Sequence, residues 1–234
     1  MKTCIITGAS SGIGQAVAIE ISQREDYHNI VLLARDEEKL DITSNQMNKN
    51  KNIIKIKFDL EDLYSITTIV KNIVDECGSI DCLLNIAGYT DPQFLLTTTI
   101  ENFQKTYAIN VFSPFILIRE CVKHMKNNAN GGKILNVAST AGITPRPGWL
   151  SYASSKASMI SMSQTLSEEL AEYNIKVYCV SPGRCATALR KKLAPDEDQT
   201  KIMQPEEVAK IISDLVSEKE NCLDGQNIII RKRI

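Results

Sequence analysis

Short apolar runs alternate along this chain with longer segments of helical periodicity, and a glycine-rich turn joins the first of each kind. Strand-like runs fall near residues 2–6, 29–34, 53–58, 81–85, 133–138, 175–180 and 227–231. Helical periodicity marks 12–24, 37–46, 62–76, 100–127, 151–173 and 205–218. Parallel strands need a crossover connection, and a helix is the usual one. The alternation therefore predicts an α/β architecture, a doubly wound parallel sheet with helices on both faces. A chain of 234 residues, 43% of them hydrophobic, can bury one sizeable core, so a single domain over 1–234 is expected. The polar stretch 45–52 (NQMNKNKN) reads as an exposed helix-to-strand loop.

The first turn carries chemistry. Cys4, Ile5 and Ile6 run straight into T-G-A-S-S-G-I-G at residues 7–14, after which Val17, Ala18 and Ile21 recur at helical spacing. Gly8 permits a tight turn, Gly12 lets a ligand approach the backbone, and Gly14 lets the helix pack closely on the sheet. Unpaired N–H groups at a helix start, with the positive end of its dipole, suit an anionic pyrophosphate. Ser10, Ser11 and Ile13 complete the turn. An ordinary glycine-rich connection is the alternative. At the end of the second strand V-L-L-A-R places Ala34 and then Arg35 where an acidic ribose acceptor would select NAD. The Arg35 guanidinium can instead meet a 2′-phosphate, which favours NADP(H) over NAD(H).

Further on, Ser139, Tyr152 and Lys156 stand in the order S…Y-x-x-x-K. On a helix, Tyr152 and Lys156 are i and i+4 neighbours on one face. An ammonium beside a phenol is expected to draw its pKa of about 10 towards neutrality. Such a tyrosine can give a proton to a carbonyl oxygen or take one from an alcohol. Ser139 follows the apolar run Ile134, Leu135 and Val137, which sets its hydroxyl near a strand's carboxyl end, where open α/β sheets bind substrates.

Taken together, these motifs resemble the short-chain dehydrogenase/reductase family, in its compact single-domain branch. Besides the glycine turn, N-x-A-G appears as Asn85, Ile86, Ala87 and Gly88, and Pro182 with Gly183 forms the later P-G element. The resemblance implies a Rossmann-like seven-stranded sheet in the order 3-2-1-4-5-6-7. It implies four catalytic residues: Asn110, Ser139, Tyr152 and Lys156. Asn110 interrupts its helix and supports a proton relay, Ser139 aligns the carbonyl, Tyr152 is the acid/base, and Lys156 holds the ribose and keeps Tyr152 acidic. By the same resemblance Asp59 and Leu60 hold the adenine, and the nicotinamide lies against residues 85–88, Pro182 and Gly183, with Thr187 on its amide. Ile86, Ala138 and Cys185 depart from the family's usual residues without removing a catalytic group. Relatives pair through the helices matching 100–127 and 151–173, which implies a homodimer or homotetramer. A regulator that senses the nucleotide without turnover is the alternative from another class.

Composition narrows the setting. A formal net charge of −1 offers no attraction to nucleic acid or membrane surface. Seven cysteines form no C-x-x-C pair, and Cys4, Cys82, Cys121 and Cys179 lie in apolar stretches, which reads as free thiols in the cytoplasm. His28 and His124 lack metal-ligand spacing, so no metal site is expected. No run is long enough to span a bilayer, and the opening strand leaves no room for a signal peptide. The basic end Arg231, Lys232 and Arg233 reads as a solvated tail.

The substrate is a small carbonyl or alcohol, and residues 185–204 are expected to form a lid over it. Arg146, Trp149, Arg184 and Arg190 are its candidate contacts. Their charge suggests a polar, phosphorylated ketose, and S-P-G-R-C-A-T-A-L-R-K-K is similar to reductase modules of bacterial polyol-phosphate and surface-glycan pathways. Asp196, Glu197 and Asp198 partly offset that charge, and a 3-oxoacyl thioester or a hydrophobic ketone is the alternative substrate.

Overall fold

The structure is a computed structural model that describes residues 1–232, so Arg233 of the basic tail lies outside the described residues. Seven parallel strands, β1 (Thr3–Thr7), β2 (Asn29–Ala34), β3 (Asn52–Lys57), β4 (Cys82–Asn85), β5 (Gly132–Val137), β6 (Ile175–Pro182) and β7 (Asn227–Ile230), lie in the order β3-β2-β1-β4-β5-β6-β7. This is the expected order. Central strands are largely apolar because both faces are covered. The strand period of two sends Ile5 to one face and Cys4 and Ile6 to the other.

On one face, Val17, Ala18 and Ile21 of α1 (Gly12–Ser22) pack with Val208 and Ile212 of α8 (Pro205–Leu215). On the other lie Val70 and Ile73 of α3 (Ile66–Cys77), and Leu117 and Cys121 of α5 (Ser113–Met125). Each such side chain, fully buried, contributes roughly 1.5–3 kcal/mol relative to exposure. The edge strand β3 alternates half-buried Ile54 and Ile56 with exposed Lys55 and Lys57, charges that discourage pairing with another chain. Of the stretch 45–52 expected as a loop, residues 45 and 46 end α2 and Asn52 opens β3, and all but Met47, which turns into the core, are exposed or half-buried.

Helices α2 (Glu37–Gln46), α6 (Leu150–Leu170) and α8 lie where the periodicity predicts them, with ends shifted by a few residues. Two local features matter. The segment of helical periodicity over 100–127 is divided into α4 (Ile100–Tyr107), a π-helical turn (Ala108–Phe112) and α5, which places Asn110 in the wide turn, where the resemblance implied an interruption. The polar lid contains a short helix, α7 (Ala188–Leu193), capped by Thr187, whose hydroxyl accepts from the Arg190 N–H at 3.1 Å. Among the described residues, no helix is long and apolar enough to cross a membrane.

Candidate active site

The carboxyl ends of β1, β2, β4, β5 and β6 open into one cleft of about 1160 Å³. Its floor begins at the glycine turn. Gly8 and Gly12 have φ of +70° and +55°, the left-handed region that glycine enters without penalty. A Cβ on Gly14 would stand 2.2 Å from the Gly8 carbonyl oxygen, so α1 can approach β1 only with glycine there. Ser11 precedes α1 in extended backbone, and its side chain makes no capping bond. Thr7, unassigned in the sequence reading, ties this turn to the next: its hydroxyl accepts from the Ile86 N–H at 2.9 Å and the Ala87 N–H at 3.1 Å.

Ser10, Ser11, Ile13, Arg35, Asp59, Leu60, Ala87, Gly88, Pro182, Gly183 and Thr187 all line the cleft. Arg35 is exposed and, among the described residues, faces no carboxylate as an ion pair. Asp36 caps α2 instead, accepting from the Lys39 N–H at 3.1 Å and pairing with Lys39 Nζ at 2.7 Å. Asn85 does not line the cleft, contrary to expectation. It is buried inside the sheet and donates to Asn136 Oδ1 at 2.9 Å, while Asn136 donates to Ser163 Oγ at 2.9 Å. The sequence marked Asn85 by its motif but gave no sign of this partner.

Tyr152, Lys156 and Ser139 meet on the cleft wall. Lys156 Nζ lies 5.8 Å from the Tyr152 ring centroid and donates to the Val137 carbonyl oxygen at 2.8 Å. Burial pushes the lysine down to about 8. Burial also raises the Tyr152 phenol above its ordinary range, and a hydrogen bond with Ser139 brings it partly back. This corrects the expectation that the ammonium governs the phenol: desolvation of a nearly enclosed ring outweighs it. Ser139 Oγ accepts from the Ala141 N–H at 3.1 Å, so its own proton is left to donate. Asn110 is not itself part of the cleft lining but lies just behind Gly88. Its amide donates to the Tyr89 carbonyl oxygen at 2.9 Å and to Ser155 Oγ at 3.0 Å, and accepts from the Tyr89 N–H at 2.8 Å. Asn110 thus seats the loop after Gly88 against α6.

At the cleft mouth, Trp149 meets the Tyr152 ring edge-on, with centroids 6.0 Å apart. Arg146 is exposed on the same loop. The lid cations are committed elsewhere: Arg190 grips Glu197 through Nε at 2.5 Å and Nη2 at 2.8 Å, and Arg184 reaches the same carboxylate at 3.3 Å. The basic rim read from the sequence is therefore largely neutralised by Glu197, itself only 16% exposed. Cys185 is buried, and that burial pushes its thiol up to about 12. It is chemically quiet.

The family model for short chain dehydrogenase matches residues 2–198. The chain belongs to that family. This short-chain dehydrogenase is accordingly an enzyme acting on CH–OH groups and their carbonyls. It is 33% identical over 240 residues to the 3-oxoacyl-[acyl-carrier-protein] reductase FabG of Thermotoga maritima, covering 97% of this chain and 95% of that one. It is also 33% identical to an NAD-dependent glycerol dehydrogenase of Listeria innocua, covering 98% of this chain and 92% of the relative. ElxO, solved with NADP bound, superposes with a TM-score of 0.87 at 28% identity, over 98% and 96% of the two chains. The glycine cradle and the long cleft fit the family's dinucleotide: the positive-φ turn leaves backbone N–H groups at the start of α1, and glycine supplies the close approach that a phosphate needs.

Proposed function

We propose that this dehydrogenase reduces a 3-oxoacyl thioester or a comparably apolar ketone, using NADP(H) in preference to NAD(H). The observation that carries the substrate reading is the grip of Glu197 on Arg190, with a weaker contact to Arg184, which offsets the charge these two guanidinium groups bring to the cleft they line. Trp149 lines the same cleft, with Leu189 and Leu193 on the lid, beside Arg146, Arg184 and Arg190. Of the arginines proposed to meet a phosphorylated ketose, Arg146 is the one that pairs with no carboxylate among the described residues. The cofactor reading rests on Arg35, beside a cleft where Asp36 is already engaged. The chain acts as one unit, in a reducing compartment such as the cytoplasm, which its seven free cysteines suit.

Each residue then has a stated task. The glycine turn and Thr187 hold the dinucleotide, and Lys156 holds its ribose. That group supplies the hydride. Ser139 donates to the substrate carbonyl and fixes its distance from Tyr152. Tyr152 gives its phenolic proton to the oxygen as negative charge develops, and the Lys156 ammonium stabilises the resulting phenolate. Asn110 keeps the loop bearing Tyr89 and the backbone of α6 in register.

The test is a panel of acetoacetyl thioester, aromatic diketone and ribulose 5-phosphate, each assayed with NADPH and with NADH. We expect the neutral ketones and the thioester to turn over and Arg184→Ala to leave them unaffected. Arg35→Asp should shift the NADPH/NADH ratio of kcat/KM by roughly 1–3 kcal/mol towards NADH. Exclusive turnover of the sugar phosphate would reject the substrate reading, and an unmoved ratio would reject Arg35 as the determinant. Tyr152→Phe identifies turnover that belongs to this site.

A further inference from the structure

The lid is tied to the body of the protein by a group that neither the catalytic set nor the dinucleotide cradle uses. Lys192 near the end of α7 pairs with Asp91 Oδ1 at 3.3 Å, far away in sequence, each residue lying close in the chain to ones that line the cleft, Leu193 and Tyr89. The second carboxylate oxygen of Asp91 accepts from Asn102 Nδ2 at 3.1 Å and from Gln93 Nε2 at 3.3 Å, and its backbone carbonyl accepts from Asn102 Nδ2 at 3.0 Å. Asn102 Oδ1 then accepts from Ser151 Oγ at 3.1 Å. Ser151 is the neighbour of Tyr152 in the first turn of α6. Both Asn102 and Ser151 are buried, whereas Asp91 and Lys192 remain open to solvent. Within the lid Arg190 pairs with Glu197, and Arg184, just before it, reaches the same carboxylate, so these contacts stay local to the segment.

We propose that Asp91 is a positioning residue that latches the lid at a place set by the first turn of α6, so that the closed mouth is registered on Tyr152. This rests on the functional reading above for its kinetic consequences, though not for its geometry. The buried limb, Asp91–Asn102–Ser151, is the rigid part, because breaking it leaves desolvated polar groups without partners. The exposed limb, Asp91–Lys192, is the part that opens. An exposed ion pair is worth at most about a five-fold effect and weakens with salt, which suits a latch that must release product.

Two readouts test this. Asp91→Asn keeps an oxygen and the backbone for Asn102 but removes the charge that Lys192 meets. At low ionic strength it should raise KM about two- to five-fold with kcat little changed, and about half-molar salt should erase the difference. Lys192→Gln should do the same, and the double variant no more than either alone. Changes in KM that multiply would show two independent effects and overturn the latch. Limited trypsin digestion needs no turnover, and Arg190 and Lys191 remain in all these variants. Asp91→Asn should speed cleavage of the lid two- to five-fold, and Ser151→Ala should also speed it, from the far end of the network. Wild-type cleavage rates in Ser151→Ala would show that the lid is not registered on α6. If the wild type turns over no carbonyl, the functional reading fails while the digestion still decides the latch.

Discussion

Burial, more than any neighbouring charge, sets the protonation of Lys156, and this has a measurable consequence. Its folded pKa of about 8 lies below the ordinary lysine value, with burial the cause. Between the two values the unfolded chain binds more protons than the folded one, so stability rises with pH through that window. The destabilisation from the buried charge is complete below about pH 8 and is lost towards the unfolded pKa of about 10.4. The stability of the wild type relative to Lys156→Met should therefore grow by on the order of 1–2 kcal/mol between about pH 8 and about pH 9.5. Denaturant midpoints at several pH values measure it, and a constant difference would mean that Lys156 titrates as an exposed lysine. The same titration removes the positive charge beside Tyr152, so reduction should slow above about pH 8. In Lys156→Met, kcat should fall about 10²-fold or more, the scale of a lost acid–base contribution.

The β1–α1 connection shows how closely an element's shape is tied to its use. A Cβ at Gly14 would overlap the Gly8 carbonyl, so Gly14→Ala must push α1 off the sheet and disturb the N–H groups that face the cleft. We expect about 1–3 kcal/mol of destabilisation, typical of overpacking, together with loss of dinucleotide binding. Gly78 is the control. It ends α3 at φ +80° with open space around its missing Cβ, so Gly78→Ala strains the backbone without touching the cleft. It should lower the thermal midpoint and leave dinucleotide affinity intact. Equal loss of affinity in both variants would show that the glycine turn has no special part in binding. The π-helical turn between α4 and α5 has the opposite character: it widens the helix around Asn110, whose amide secures the loop carrying Tyr89.

Across the molecule, the surface of α4, the π-helical turn and α5 exposes Ile100, Phe112 and Phe115, at 62%, 48% and 46%. Helix α6 offers small side chains nearby, Ala157 and Ser161 exposed and Ala153, Ser154 and Ser158 half-buried. Apolar side chains grouped this way on helices favour association with a copy of themselves. We propose a homodimer or homotetramer built on this surface. Light scattering at micromolar concentration should report at least twice the mass of the chain, and Phe115→Lys should lower it. A monomeric wild type would remove the proposal.

The order of the seven strands was implied by the likeness of the motifs to a family, while the parallel alternation, the glycine turn and the identity of Tyr152, Lys156 and Ser139 could be read from the residues themselves. These depend on periodicity and on residue types whose chemistry is local: alternation forces crossovers, and only glycine tolerates the backbone of the turn. What the tertiary structure decided were the partnerships between residues far apart in sequence. Glu197 disarms the lid's arginines, Asn85 turns to Asn136 and away from the cleft, and Asp91 joins Lys192 to Asn102. The protonation of Lys156 and Tyr152 was decided there too, because desolvation depends on everything packed around a group, while sequence spacing shows only its nearest neighbours along the helix.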